Sequence, residues 1–508
     1  MHVEPLATRD EAARSLAGDG LELRLEHELP TRLAVGRGNA VFVYGSCFHR
    51  RRKVRDLRLL SDGSSIRPMA QAMPRRDVFE SDPDARSYRS GFWGIVPIHA
   101  TPDPRSLELD VVARLDDGDE VTRRLAALEL EPGPTTEPIA WPAGRTDEPL
   151  VAICMATHDP PSDLFRRQIE SIREQTHRNW MCVISDDHSR EDRLADAESV
   201  VGDDPRFVIS RSSGRLGFYR NFERALSLAP EEAAFLALAD QDDRWDPDKL
   251  EALVSALGDA QLAYSDARVV AADGTPISDT YWTRRRTNHA NLASLLISNT
   301  ITGAALLFRR DLLDRILPFP SQLGTQWHDH WIGLVALATG DVKFVDRPLY
   351  EYVQHRDAVL GHAAANPARQ RRGAGERLRM LRTDWRAAVG GWCWKYFYGV
   401  CRTLLLARVL ELRCEGSLRG RKRRAVRWFL AIDSSPLGYL WLSARRLRRL
   451  SGRNETLGAE RLFLHGLAWR RAIELLTWRR RRPPANLHKD ASLPPADEIE
   501  ADGEGQGL

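Results

Sequence analysis

A nearly unbroken apolar run, Ala233-Ala-Phe-Leu-Ala-Leu-Ala239, stops abruptly at Asp240-Gln241-Asp242-Asp243, and Arg244-Trp245-Asp246-Pro247-Asp248-Lys249 follows. An apolar run of that length, bounded by polar residues, predicts a strand buried on both faces. Asp246 offers an N-cap and Pro247 a first helical residue, so a helix should begin at once. The carboxylates then stand at the C-terminal end of a core strand, the edge where open α/β sheets bind ligands. Crowded there, they repel one another unless a cation neutralises them, and hard divalent ions favour such oxygens. A metal–phosphate site is the reading. The plainer alternative is an acidic strand-to-helix turn with a capping Asp.

The neighbouring segments repeat the pattern. Leu150-Val-Ala-Ile-Cys-Met155 predicts a strand ending at Ala156-Thr157-His158-Asp159, and Ser162 or Asp163 caps a helix with Phe165, Ile169 and Ile172 on one face. Trp180-Met-Cys-Val-Ile184 leads into Asp186-Asp187-His188-Ser189, and Arg206-Phe-Val-Ile209 into a polar loop with Gly214, Arg215 and Gly217. A helix with Arg220, Asn221 and Phe222 precedes the strand into Asp240. Strands alternating with helices imply a largely parallel sheet with right-handed crossovers. Acidic or polar residues close three successive strands, and that coincidence favours a site over a simple turn.

The flanks differ in texture. Residues 1–145 carry alternating runs such as Leu21-Glu-Leu-Arg-Leu25 and Leu107-Glu-Leu-Asp-Val-Val-Ala-Arg-Leu115, separated by Gly and Asp turns, and read as an antiparallel β-sandwich. Cys47, His49 and Arg50-Arg-Arg-Lys53 read as a solvated basic loop, and Glu131 to Pro142 as a Pro-rich linker. Ala363 to Gly375 reads as a hinge. Residues 365–483 then mix Trp385, Trp392, Trp428 and Trp441 with basic runs at Arg419–Arg424, Arg445–Arg449 and Arg479–Arg482. Amphipathic helices with basic faces are expected, able to lie on an anionic membrane surface. Residues 484–508 read as a disordered tail. The 6 cysteines form no CxxC pair, which suits free thiols in a reducing compartment. No stretch approaches the roughly 20 apolar residues that cross a bilayer, and no signal-like N-terminus is present. The expected location is cytoplasmic, peripheral at the inner face of the plasma membrane. No nucleic-acid motif accompanies the basic runs, so no nucleic-acid partner is expected.

Val151 to about His362 resembles an inverting family 2 glycosyltransferase of the nucleotide-diphospho-sugar (GT-A) fold. The resemblance rests on the opening Val-Ala-Ile-Cys-Met-Ala-Thr-His-Asp, the Asp186-Asp187-x-Ser strand end, the Gly217 to Asn221 loop and Asp240-Gln-Asp242-Asp243 as a DxD motif. The Asp-Gln-Asp-Asp-x-Trp wording, with a later His-Asp-His-Trp, is similar to the rhamnosyltransferase branch. A GT-A catalytic domain over 147–362, with a mixed, mostly parallel sheet, is thus implied between the β-sandwich and the helical region. The resemblance implies a nucleotide-diphosphate sugar as donor, with Ala156, Thr157, His158, Asp159, Asp187, Arg215, Gly217, Asn221, Asp240 and Gln241 lining its pocket. Arg215 and Arg220 could touch diphosphate or sugar.

Cleavage of a sugar nucleotide builds charge on phosphate oxygens, which Mg²⁺ or Mn²⁺ held by Asp242, with Asp240 or Asp243 assisting, would stabilise. The Tyr352-x-Gln354-His355 element resembles the family's closing motif, whose His can complete the metal shell; Asp357 departs from the family's usual Asn. A base must also take the acceptor's proton. Gln326-Trp-His328-Asp329-His330-Trp331 occupies the place of the family's catalytic carboxylate, which points to Asp329, with His328 and His330 as alternatives. Thr302 to Phe308 resembles the small-residue strand on the acceptor side. The expected acceptor is a hydroxyl of a cell-surface glycan or lipid-linked glycan. Two rivals stand beside this reading. A sugar nucleotidyltransferase would need a Gly-rich basic loop after the first strand, which Met155 to Pro161 lacks; an idle glycan- or membrane-binding scaffold would be expected to have lost the Asp cluster or Asp329.

Overall fold

The computed structural model describes residues 20–84, 86–134, 136–141, 147–283, 287–355 and 391–477. Asp357, the expected hinge, Trp385, the Arg479–Arg482 run and the expected tail lie outside these residues.

Among the described residues, nine strands form the N-terminal part: β1 (Leu21–Leu25), β2 (Arg32–Ala34), β3 (Asn39–His49), β4 (Val54–Ser61), β5 (Ser64–Ile66), β6 (Ala70–Met73), β7 (Gly91–Ile98), β8 (Arg105–Leu115) and β9 (Glu120–Glu131). They make a sheet of order β1-β3-β7-β6 and another of order β2-β9-β8-β4-β5. Alternation places Leu107, Leu109, Val111 and Ala113 of β8 in a core shared with Val41, Val43 and Phe92 from the other sheet. The sandwich is antiparallel except where β2 runs parallel to β9. The expected basic loop is only partly one. Cys47 and His49 are buried at the end of β3, and His49 Nδ1 accepts from the N–H groups of Arg51 (3.0 Å) and Arg52 (3.1 Å).

No residue of β3 is exposed, because its second face meets the C-terminal helices. Phe397 packs 5.6 Å from Tyr44 and 5.3 Å from Trp93, and Trp93 Nε1 donates to Tyr396 at 3.0 Å. One continuous core runs from this contact into the middle of the chain.

The central sheet comprises β10 (Val151–Thr157), β11 (Trp180–Asp186), β12 (Phe207–Arg211), β13 (Phe235–Ala239), β14 (Arg244–Trp245), β15 (Leu262–Ala271), β16 (Pro276–Ser278), β17 (Leu306–Arg309) and β18 (Val342–Gln354). Their order is β12-β11-β10-β13-β17-β15-β18-β14, with β16 beside β15. The first four run parallel, as do β15 and β18, whereas β13–β17, β15–β17, β15–β16 and β14–β18 are antiparallel. The sheet is therefore mixed, and less parallel than the β–α repetition suggests. Short connections, such as the one joining β15 to β16, cannot make a parallel crossover. Thr302 to Phe308 is also not a plain strand: Gly303–Ala305 is a 3-10 turn leading into β17.

The C-terminal part contributes the helices Arg402–Cys414, Gly420–Leu430, Pro436–Arg445 and Glu460–Thr477. Arg413, buried in the first of them, donates to Gly38 O at 2.6 Å, Ile316 O at 3.0 Å and Pro318 O at 2.6 Å. One guanidinium thus joins the sandwich, the central layer and the helices.

Candidate active site

The floor of the site is made by strand ends. β10 stops at half-buried Ala156 and buried Thr157. His158 N–H donates to Gln241 Oε1 at 2.8 Å and Gln241 Nε2 returns a bond to His158 O at 3.2 Å, so one side chain clips the residue after β10 to the acidic segment that follows β13. His158 Nδ1 lies 3.0 Å from Asp187 O, and Asp159, at φ 41°, accepts from Arg190 N–H at 2.9 Å. The strand ends are thus braced to one another before any ligand is considered.

Asp187 is buried and engaged within the chain. Its carboxylate accepts from Leu216 N–H at 2.5 Å and Gly217 N–H at 2.9 Å, with Arg215 Nε at 3.1 Å. It anchors the 214–217 loop against β11, a role the sequence reading did not assign to it. Asn221 is likewise a brace: both amide hydrogens go to Thr157 O (3.2 Å) and Ser185 O (2.9 Å), and its oxygen accepts from Ser185 Oγ (2.7 Å). Arg220, read as a contact to diphosphate or sugar, instead pairs with Glu223 at 2.6 Å and reaches Phe319 O and Pro320 O at 3.3 Å.

Gly217 caps the helix Phe218–Ser227 at φ 79°, a left-handed conformation that suits glycine. A Cβ built there meets nothing within 4 Å, so Gly217→Ala tests the backbone alone. The expected loss is about 1 kcal/mol in chemical denaturation.

The acidic cluster follows β13 as expected, but the helix after it starts late. It spans Lys249–Leu257 with Asp248 at the cap and no side-chain capping bond: the Asp248 carboxylate pairs with Arg347 at 2.7 Å, and that of Asp246, the expected cap, is engaged by Arg268 at 2.9 and 3.1 Å. The helix after β10 also lacks its expected cap: it spans Ser162–Arg173, and Ser162 Oγ donates to Asp196 instead. Asp242 is partly exposed and accepts from His355 Nε2 at 2.7 Å. Asp243 is buried; its Oδ1 accepts from Val353 N–H at 3.3 Å while its Oδ2 has no partner.

Burial, and then the charges of Asp242 and Asp329, push the Asp240 carboxyl up to about 7. Burial with Asp240 and Asp242 drives Asp243 well above the carboxylate range. Among the described residues no three His, Cys, Asp or Glu are placed to hold a metal together. The four predicted ligands therefore divide into a reachable pair, Asp242 and His355, and a layer containing the buried Asp243.

Beneath them lies Lys249, which the sequence reading missed. It is fully buried, donates to Ala304 O, and sits 3.5 Å from the Trp245 ring centroid and 4.8 Å from that of Tyr350. Burial holds its ammonium well below the usual range, against the pull of Asp243 and Asp240. A Lys one turn beyond an Asp cluster is the signal that could have found it.

Asp329 sits in the first turn of the helix His328–Thr339. Its Oδ1 accepts from Asn299 Nδ2 at 3.0 Å and from His330 N–H at 2.5 Å. Burial raises the carboxyl to about 7, against the lowering effect of the backbone N–H groups of His330 and Gly303. The flanking histidines are poorly suited to be bases. His330 Nε2 lies 2.7 Å from Leu295 O, and burial lowers its pKa to about 4. His328 stacks on Phe222 at 3.8 Å, and burial lowers its pKa to about 3. Asn299, Asp329's side-chain partner, was also not foreseen, since an isolated Asn carries no pattern. The β13 strand end and this helix thus place Asp329 near enough to Asp240 to raise its carboxyl, as the neighbouring Asp242 also does.

Residues 152–317 match the family model Glycosyl transferase family 2. The matched segment holds the Asp240–Asp243 cluster and ends before Asp329. The chain is 22% identical over 228 residues to an uncharacterized glycosyltransferase, MJ1057, of Methanocaldococcus jannaschii, covering 43% of this chain and 75% of that protein. It is 27% identical over 135 residues to the putative teichuronic acid biosynthesis glycosyltransferase TuaG of Bacillus subtilis, covering 26% of this chain and 51% of TuaG. With the uncharacterized protein y4gI of Sinorhizobium fredii it shares 29% identity over 147 residues, 26% of this chain and 16% of y4gI. The chain therefore spans about half of TuaG and a small part of y4gI.

Solved structures that align with it include S. aureus TarS 1–349 in complex with UDP-GlcNAc (TM-score 0.37, 14% identity, 65% of this chain and 92% of that one). Another is the mannosyltransferase PcManGT of Pyrobaculum calidifontis with GDP-Man and Mn²⁺ (TM-score 0.32, 14% identity, 69% and 89%).

Proposed function

We propose that the chain transfers a sugar from a nucleotide-diphosphate donor to a hydroxyl of a cell-surface or lipid-linked glycan, inverting the anomeric centre in a single displacement. The observation that carries this reading is that Asp329, from a distant part of the chain, lies near enough to raise the Asp240 carboxyl at the β13 strand end. One end of the site is built to meet a diphosphate and the other to take a proton.

The residues fit a divalent ion. Asp243 Oδ2 is buried without a partner, and burial together with the charge of Asp242 holds both Asp240 and Asp243 toward protonation. Mg²⁺ or Mn²⁺ would supply positive charge to the diphosphate oxygens as the glycosidic bond breaks. Asp242 and His355 are the side chains that would hold it, leaving other positions to phosphate oxygens and water, a common arrangement for Mg²⁺. Asp240 and Gln241, clipped to His158, and Asp187, holding the Arg215–Gly217 loop, keep the donor side in shape.

In the transfer the acceptor oxygen bonds to the anomeric carbon, the bond from that carbon to the diphosphate breaks, and the hydroxyl proton passes to the Asp329 carboxylate. Asn299 Nδ2 and His330 N–H fix one carboxylate oxygen, and the Gly303 N–H also bonds the group, so the carboxylate is held in place to receive the proton. The name of TuaG, a putative teichuronic acid biosynthesis glycosyltransferase, supports a glycan as the acceptor's class. Rhamnose as the transferred sugar rests on the Asp-Gln-Asp-Asp-x-Trp wording.

Calorimetric titration of UDP, GDP and dTDP, with and without Mn²⁺, tests the donor half. One of them should bind wild type in a metal-dependent way, and Asp242→Asn should weaken that binding by roughly 10–100-fold. No binding by wild type, or equal binding by the variant, would contradict the assignment.

A further inference from the structure

The helix Pro436–Arg445 and the turn Arg446–Ser451 that continues it expose large apolar side chains. Leu437, Leu440, Leu447 and Leu450 are 62%, 60%, 64% and 86% exposed. Their spacing of three, seven and three residues sets them along one side of the rod. Four leucines in water along one line ask for a cover.

The surrounding charge says which kind. From Arg419 to Asn454 the chain carries eleven Lys and Arg and a single acid, Asp433, which is buried. Arg446, Arg449 and Arg461 line a shallow open cleft of about 590 Å³ together with Leu447 and Leu450. On the adjoining helix Gly420–Leu430, Trp428 is 37% exposed and stacks with Trp441, centroids 6.5 Å apart and planes 13° from parallel. Leucines flanked by arginines and an indole at the margin match the layers of a bilayer surface: acyl chains, phosphates and the interface between them. No described helix is long and apolar enough to cross a membrane.

We infer that this face docks onto an anionic phospholipid bilayer, the leucines entering its surface and the cleft arginines meeting lipid phosphates. The face is also tied to the acceptor side. Arg445 Nη2 donates to Ser294 Oγ at 2.7 Å, and the next residue, Leu295, offers its carbonyl to His330, beside Asp329. Docking would thus hold a lipid-borne acceptor near the site. The surface itself does not depend on the transfer reaction.

The full chain is tested by co-sedimentation with vesicles of phosphatidylcholine alone and of phosphatidylcholine with phosphatidylglycerol. Light scattering without lipid accompanies it. Binding to the anionic vesicles only, reversed by high salt, is expected. Leu440→Ser with Leu447→Ser, and Arg446→Ser with Arg449→Ser, should each weaken it by roughly tenfold or more at unchanged melting temperature. Wild type that ignores anionic vesicles, or variants that bind them as well as wild type, would overturn the inference. So would a lipid-free dimer that the leucine variant splits, which would assign the face to a second copy.

Discussion

Asp329→Asn is expected to lower kcat by roughly 10²–10⁴-fold while leaving metal-dependent nucleoside diphosphate binding within about twofold of wild type. The amide keeps the carboxylate's shape and can still accept from Asn299 Nδ2 and His330 N–H, so the fold should survive. What disappears is the group that receives the proton. A structural cap would behave differently, because its loss would fall on stability and spare the rate per folded molecule.

Burial raises the Asp329 carboxyl to about 7, and only its ionised form can act as a base. At saturating metal, wild-type kcat/KM should therefore climb through about pH 7 and level off above it. The residual rate of the variant should lack that limb. Stability runs the opposite way. A carboxyl that holds its proton more tightly when folded than its ordinary value of 3.8 favours the folded state at low pH. That contribution is lost as pH rises from about 4 to about 7. Asp329→Asn should flatten this part of the stability curve.

Arg413→Met is expected to destabilise the protein by on the order of 3–5 kcal/mol, the loss typical of removing one partner from a buried charged network. Methionine fills much of the volume but donates nothing, so Gly38 O, Ile316 O and Pro318 O lose their partner in a dry setting. Because Gly38 belongs to the sandwich while Ile316 and Pro318 follow β17 in the central part, chemical denaturation should show the parts separating as well as an earlier midpoint. A midpoint within about 0.5 kcal/mol of wild type would place this arginine outside the structural frame.

The core strands β10, β11 and β13 and the acids at their ends were legible because a buried parallel strand leaves a continuous apolar signature that ends where ligands bind. What each acid does was much less so. Asp187 and Asn221 fit a nucleotide-site motif by order and spacing, yet their polar atoms are taken up by the chain's own N–H and C=O groups, which sequence order cannot reveal. Asp246 looked like a cap, but Arg268, distant in sequence, engages it. Lys249 and Arg413 were hidden for a related reason: a cation is read as surface until the structure shows its partners. The Arg-rich region is the clearest case, since Arg413 is buried there while Arg446 and Arg449 are exposed. The antiparallel entry of β17 and β16 could not be read either, because strand direction is set by connections rather than by side-chain pattern.

The central claim is a single displacement with Asp329 opposite the diphosphate. It is tested most directly by proton NMR of the first sugar released when the sugar nucleotide chosen by calorimetry is hydrolysed in the presence of Mn²⁺. The account predicts that this sugar appears with the anomeric configuration opposite to the donor's, and that Asp329→Asn suppresses its release. A first product with the donor's own configuration, or release that the substitution leaves unchanged, would contradict it.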